Sequence, residues 1–317
     1  MGAPASGGET DVGVNGMKQR NFYLSLERGD LLPLLLLLPA LLVVVFVMVI
    51  PLGYGLFLSL FDYGMGVLDV STDYVGLDNY TRMFGDAVAM KSIWNTVKFS
   101  IGAIVGDMLL GTLAAVLIFQ LKRRAAAFVR PIVTMPLLIS PIIISLMWRY
   151  IYDPQGILYW VLRQWGMGVS AFPGITAEST ALLSVIIAHW WQVVPFYVIV
   201  LTAGLVSIPQ ELYEAAYVDG AGGFRAFRKI TLPLLGKVYM VVLFISGVDT
   251  IKVFDLIYGL TGGGPNNSSI SISIYAFNQA FSNVDMGYAM ALSVLAMAVA
   301  FVMFGLPFSR FSAKRSS

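Results

Sequence analysis

The chain has 317 residues, 58% of them hydrophobic and only 12% charged. Soluble domains carry roughly a quarter charged residues, so this polar complement cannot cover a water-facing globule and the bilayer must serve as the main solvent; soluble enzymes, nucleic-acid binders and disordered regulators are excluded. A net charge of +2 selects no polyanionic partner, zero cysteines remove disulfides and thiolate chemistry, and the single His189 is too little imidazole for a zinc site.

In chain order, residues 1–28 are rich in Gly, Ala and Ser and read as a flexible cytoplasmic tail. The apolar run 31–61 exceeds the roughly 7–15 residues of a signal-peptide core and predicts a first transmembrane helix, bent at Pro39 and Pro51. Five further spans are predicted over 93–121, 128–151, 181–205, 234–258 and 286–308, each able to cross about 30 Å of hydrocarbon. Six spans put both termini on one side. That side holds Lys18, Arg20, Arg28, Lys122, Arg123, Arg124, Arg130, Arg225, Arg228, Lys229, Lys237, Arg310, Lys314 and Arg315. The opposite side and the outer helix halves hold only Arg82, Lys91, Lys98, Arg149, Arg163 and Lys252, while Asp62, Asp69, Asp73, Asp78, Asp86 and Asp153 make the outer loops acidic. The positive-inside rule therefore predicts both termini in the cytoplasm. Trp148, Tyr150, Tyr152, Trp160 and Trp165 form the expected aromatic belt where the third span leaves the membrane.

The segment 207–233 is longer than the usual helix connection of about 2–8 residues and is not of low complexity. Ser207 followed by Gln210 predicts a capping box, with Pro209 in the first turn and Glu211 and Glu214 near the positive end of a short helix. Ala215 and Ala216 give that helix a small-residue face, and Gly220 is placed to end it. A second start follows at Gly222-Gly223, with Phe224 and Phe227 as apolar knobs among Arg225, Arg228 and Lys229. On composition alone this is either a docking element or an amphipathic helix resting on headgroups.

Glu214-Ala215-Ala216, three residues, Gly220, nine residues, then Ile230-Thr231-Leu232-Pro233 resembles the EAA loop of permease subunits of binding-protein-dependent ABC importers. Asp219-Gly220-Ala221 is similar to the carbohydrate-importing branch, the maltose and glycerol-phosphate type of permease. So are Leu260-Thr261-Gly262-Gly263-Gly264-Pro265 with Tyr275-Ala276-Phe277 and Ala280-Phe281, the Tyr152-Asp153-Pro154 turn, and Gly76-Leu77-Asp78-Asn79-Tyr80. Gly236 departs from a proline common in relatives, with an effect expected only on how the helix begins.

The resemblance implies an all-α polytopic membrane protein of the type I ABC importer permease fold. Six transmembrane helices with both termini inside would carry a cytoplasmic coupling helix. It implies a permease domain over 29–311 with the EAA loop at 207–233, and a cytoplasmic tail over 312–317. Such a subunit translocates a sugar, polyol or glycoside across a bacterial inner membrane by alternating access. An anionic sugar derivative or glycerol phosphate is the alternative cargo, and an ion-coupled secondary transporter the competing class. Its partners are a second permease, a dimer of cytoplasmic ATPases, an extracytoplasmic binding protein and membrane lipid, with no nucleic acid. Glu214, Ala215, Ala216, Asp219, Gly220, Ala221 and Phe224 map onto the coupling positions that dock into the ATPase. The chain has no Gly-x-x-x-x-Gly-Lys loop, so it binds no cofactor of its own and ATP and Mg belong to the ATPase subunits.

Ionisable groups at membrane depth are expensive and so are candidates for function. Asp249, Lys252 and Asp255 are spaced i, i+3, i+6 and are read as one helix face, either a polar pathway wall or a structural ion-pair ladder. Trp190, Trp191 and Gln192, beside His189, combine stacking faces and amide donors suited to sugars but also to packing, and Asn278 is a weaker candidate. Asp107, the one acidic residue of its span, predicts a buried interhelical hydrogen bond, with a substrate contact as the alternative.

Overall fold

The computed structural model describes residues 32–64 and 74–313, and their regular structure is helical apart from two isolated bridges, Phe61 to Tyr74 and Gly64 to Asp285. The predicted tail 1–28 lies outside the described residues, as do Asp69, Asp73, Lys314 and Arg315; of 312–317, only 312–313 are described, as the end of the last helix. Four helices are long and apolar enough to cross a bilayer, or up to six if each of two bent pairs is one span.

The chain divides into two units, Met1–Phe57 and Leu58–Ser317. The first contains most of helix α1, continuous over 32–58. Neither proline breaks it. Pro51 has no N–H to give to the preceding turn, and the helix widens into a π turn at Val45–Val49, with the Ile50 N–H reaching back to the Val45 carbonyl.

The second unit carries α2 (Asp78–Gly85), α3 (Ala87–Gln120), α4 (Arg123–Leu138), α5 (Pro141–Ile151), α6 (Ile157–Gln164), α7 (Glu178–Val206), α8 (Gln210–Val218), α9 (Gly223–Leu234), α10 (Gly236–Ile251), α11 (Asp255–Leu260), α12 (Ile272–Phe281) and α13 (286–313). Its backbone is the pairing of α3 with α7. Glycines on α3 face large side chains on α7 in matching order: Gly102 meets Ile186, Gly106 lies under the Trp190 indole and Gly111 under Tyr197. With no hydrophobic drive between helices in lipid, small residues let backbones approach closely enough for dispersion to hold them. Around this pair, Phe99, Ile144, Val185, Leu260, Ile274 and Tyr288 form the main apolar core, and a smaller cluster of Ala115, Tyr197, Leu201, Leu235 and Val242 closes the other end of α3.

Two predicted spans are broken. Residues 128–151 are not one straight crossing: α4 and α5 meet at 100°, where Pro136 tightens the last turn of α4 and Pro141 starts α5. The fifth span begins with α9 and α10 set at 64° around Pro233 and Gly236, and it stops at Ile251 rather than 258. The belt also loses a member. Tyr150, Trp160 and Trp165 are exposed as expected, but Tyr152 is buried and its hydroxyl donates to the Ser184 carbonyl at 3.2 Å.

Candidate functional site

The EAA-like segment folds as a helix, a turn and a second helix. The capping box does not form. Ser207 keeps a helical backbone at the end of α7 and its hydroxyl donates to the Gly204 carbonyl at 2.7 Å, so α8 begins after Pro209 with no side-chain cap. A serine hydroxyl bonds its own preceding turn as readily as a following one, and here the long helix takes it. The other end of α8 follows the expectation. Gly220 adopts φ 72°, the Ala221 N–H donates to the Ala216 carbonyl at 2.8 Å and the Gly220 N–H to that of Tyr217 at 3.0 Å. This is the Schellman arrangement, which needs a left-handed residue at Gly220. A Cβ there would touch nothing, so glycine answers the backbone and not a steric limit.

The helix presents an apolar surface to its surroundings. Tyr217 and Val218 are 83% and 84% exposed, Phe224 beyond the turn is 79% exposed, and Glu214, Ala215, Asp219 and Gly220 are also exposed. Ala216 and Ala221 are half-buried. Exposed aromatic and aliphatic side chains of this size around a small-residue patch suit a protein contact or the headgroup layer. Tyr213, which sequence reasoning passed over, fixes its angle: the Tyr213 hydroxyl lies 2.9 Å from Oγ1 of the buried Thr231, tying α8 to α9. The signal was available, because Thr231 belongs to the Ile230-Thr231-Leu232-Pro233 stretch and a buried threonine needs a partner.

The interior polar residues separate into distinct groups. Asp107 makes the expected interhelical bond: the His189 Nε2–H donates to Asp107 Oδ2 at 3.1 Å between α3 and α7, with both side chains buried and the imidazole edge-on to Phe99. His189 is therefore a packing and hydrogen-bonding residue. Trp190 donates its indole N–H to the Gly102 and Ala103 carbonyls, both at 3.1 Å, while its ring lines a cavity of about 430 Å³ together with Trp148, Trp191 and Pro195. Trp191 is exposed and stands edge-on to Trp148 at 6.3 Å; Gln192 is half-buried.

Asp249, Lys252 and Asp255 do not share one helix face. Asp249 and Lys252 pair at 2.9 Å at the end of α10, the helix breaks over 252–254, and Asp255 opens the separate helix α11. Lys252 lines a second cavity, of about 480 Å³, with Ser273, Phe277, Ser293 and Met297. Asn278 is half-buried on α12, and its carbonyl receives the N–H groups of Ser282 and Asn283.

The loop before α12 is held by side chains from α3. Asn95 Nδ2 donates to the Asn267 and Ile270 carbonyls, the Ile272 N–H donates to Thr96 Oγ1, and Lys91 Nζ donates to the Asn266 carbonyl at 2.7 Å. Gly262 and Gly263 take φ of 62° and 90° and the Gly264 N–H donates to the Thr261 carbonyl at 3.1 Å, so the glycine run is a turn. Beside it, Asp86 caps α3 through the Val88 and Ala89 N–H groups and accepts the hydroxyls of Tyr275 and Tyr288. Partial burial works against that carboxylate, but the four donors outweigh it and hold Asp86 below the usual aspartate value. Burial and the same carboxylate push the Tyr275 hydroxyl up to about 12. Arg82 pairs with Asp285 at 2.7 Å and lies over the Tyr288 ring, completing a cluster that joins α2, α3, α12 and α13.

Comparison with known proteins bears on the family and the fold. Residues 107–313 match the family described as binding-protein-dependent transport system inner membrane component. The trehalose/maltose transport system permease protein MalF of Thermococcus litoralis is 36% identical over 262 residues, covering 82% of this chain and 87% of that protein. The sulfoquinovosyl glycerol transport system permease protein SmoG of Agrobacterium fabrum is 32% identical, covering 86% and 88%. Among solved structures, a chain of a bacterial ABC transporter involved in the import of the acidic polysaccharide alginate superimposes with a TM-score of 0.79 at 22% identity, over 94% of this chain and all of that one.

Proposed function

The chain belongs to the family of binding-protein-dependent transport system inner membrane components, and from that premise we propose how its geometry serves transport. It is a permease subunit of an ATP-driven sugar importer and not an enzyme, since ATP hydrolysis rests with a separate subunit. The site reading built on this is that Glu214, Ala215, Ala216, Asp219, Gly220, Ala221 and Phe224 form the face that docks into a cytoplasmic ATPase. Its support is one observation: a short helix with exposed Tyr217, Val218 and Phe224, closed by a Schellman turn and braced through Tyr213 to Thr231. An exposed apolar helix that is nonetheless rigidly held can transmit a push; a loose one would dissipate it.

ATP binding by the ATPase pair then favours one of two permease states by several kcal/mol, enough to move a population from about 1:99 to 99:1. The cavity opens alternately to either side of an inner membrane, with both chain termini inside. A second permease completes the pathway wall, and an extracytoplasmic binding protein delivers the cargo. Trp190, Trp191, Gln192, Asp249, Lys252, Asp255 and Asn278 are the proposed wall residues of this subunit. Asp249 neutralises Lys252, which favours an uncharged sugar or glycoside over an anionic derivative. Gly220→Asp tests the reading in proteoliposomes carrying the assembled importer. The expected result is loss of sugar-stimulated ATP hydrolysis and uptake with the variant still in the membrane. Normal uptake would sink the docking assignment.

A further inference from the structure

Helix α9 combines two features that its role beside α8 leaves unexplained. One flank carries Arg225, Arg228 and Lys229, all exposed, and with Phe224 they wall a bowl of about 450 Å³. Phe224 is also a wall of a neighbouring groove of about 660 Å³ whose other sides are Met108, Leu113 and Val116 of α3, Phe227 of α9 and Tyr239 of α10. A three-cation bowl thus adjoins an apolar trough, with Phe224 as their shared wall. Lys122, Arg123 and Arg124 follow Gln120, a trough residue, in sequence and are exposed.

The bend supplies the geometry. Since α10 continues into the membrane and α9 leaves it at 64°, α9 lies well off the span axis, as a helix at the headgroup level must. Phe227 lines the trough and the cations sit on the adjoining flank, which lets the long side chains reach headgroups while that ring stays in hydrocarbon. We propose that this bowl and trough form a binding site for one anionic phospholipid, the phosphate held by Arg225, Arg228 and Lys229 and an acyl chain lying against Met108, Leu113 and Phe227. The proposal uses the orientation adopted above, in which this end of α3 faces the cytoplasmic leaflet, where basic juxtamembrane residues attract anionic lipids. Charge complementarity selects the headgroup; the apolar trough on the other side of Phe224 selects a lipid over a free anion.

Native mass spectrometry of the purified full-length permease with equal mole fractions of phosphatidylglycerol and phosphatidylcholine is the test. Phosphatidylglycerol should be retained selectively, at least tenfold more weakly by Arg228→Ser/Lys229→Ser and by Leu113→Trp, which fills the trough from an exposed position. Circular dichroism and gel filtration of both variants check that they fold. Equal retention of the two lipids, or unchanged retention by both folded variants, overturns the proposal. So does displacement by inorganic phosphate, which would make the bowl a plain anion site, or expulsion of lipid when the ATPase subunits bind, which would give the surface to protein. None of these outcomes touches the sugar-uptake reading, because the measurement needs neither cargo nor ATP.

Discussion

The most informative single residue for the fold is Gly106. The Trp190 indole occupies the space a Cβ would need, and the same indole N–H is committed to the Gly102 and Ala103 carbonyls of that turn. The ring is thereby held on two sides and cannot swing away without losing its hydrogen bonds. Gly106→Ala should therefore overpack the α3–α7 contact at a cost of about 1–3 kcal/mol. The measurement is thermal unfolding in detergent, and a double-mutant cycle identifies the cause. Trp190→Phe removes the part of the ring that meets the new methyl group, so in that background Gly106→Ala should cost much less than it does alone. Equal penalties in both backgrounds would place the cost elsewhere, in helix propensity or in a different neighbour.

At the scale of elements, the brace between α8 and α9 decides how well the exposed helix can act as a lever. Tyr213→Phe keeps the ring and removes only the hydroxyl, leaving Thr231 Oγ1 buried without its partner. The expected loss is about 1–3 kcal/mol of local stability, read as faster amide exchange in 210–218 and a lower ratio of sugar moved to ATP hydrolysed, with membrane insertion unchanged. An unaltered ratio would mean that α8 is held by its partner and not by this bond. These elements also show what a sequence can and cannot disclose. The helix end at Gly220 was legible because glycine is the residue for which a left-handed backbone is cheap, and its two hydrogen bonds close within six residues. The α3–α7 seam was legible in principle from Gly102-x-x-x-Gly106, a small-residue spacing that was passed over. The break after Ile251 was not legible. The Val253 carbonyl there is satisfied by Ser271 Oγ at 3.1 Å, a partner eighteen residues away that no local pattern reveals. For the same reason Asp249, Lys252 and Asp255 looked like one face: their spacing is helical, and the chain leaves the helix where the Val253 carbonyl bonds a residue distant in sequence. Ser207 failed differently, since two local bonds of similar worth competed for one hydroxyl.

For the whole molecule, orientation is the property that the charges argue and that the packing of the second unit makes testable. Contacts sort the helix ends into two groups. Asp86 at the start of α3 meets Tyr275 and Tyr288 of α12 and α13, and Asn266 of the preceding loop bonds Lys91 and Glu178 at the starts of α3 and α7. The opposite ends of α3 and α10 join through Thr112 and Tyr239 next to the trough that α9 closes. Lys122, Arg123, Arg124, Arg130, Arg225, Arg228, Lys229 and Lys237 all belong to this second end. At the first end the cations are fewer and partly cancelled, Arg82 by Asp285 and Lys252 by Asp249. Unpaired cations resist translocation and set topology, so the second end should face the cytoplasm. The chain contains no cysteine, which makes single-cysteine labelling clean without prior engineering. Ala125→Cys and Ser282→Cys both replace exposed residues, one at each end. A membrane-impermeant maleimide should label Ser282→Cys in intact spheroplasts and Ala125→Cys only after the membrane is opened. The reverse pattern would invert the molecule and remove the exposed face of α8 from any cytoplasmic ATPase; labelling of both in intact cells would mean that the two ends are not separated by a bilayer at all.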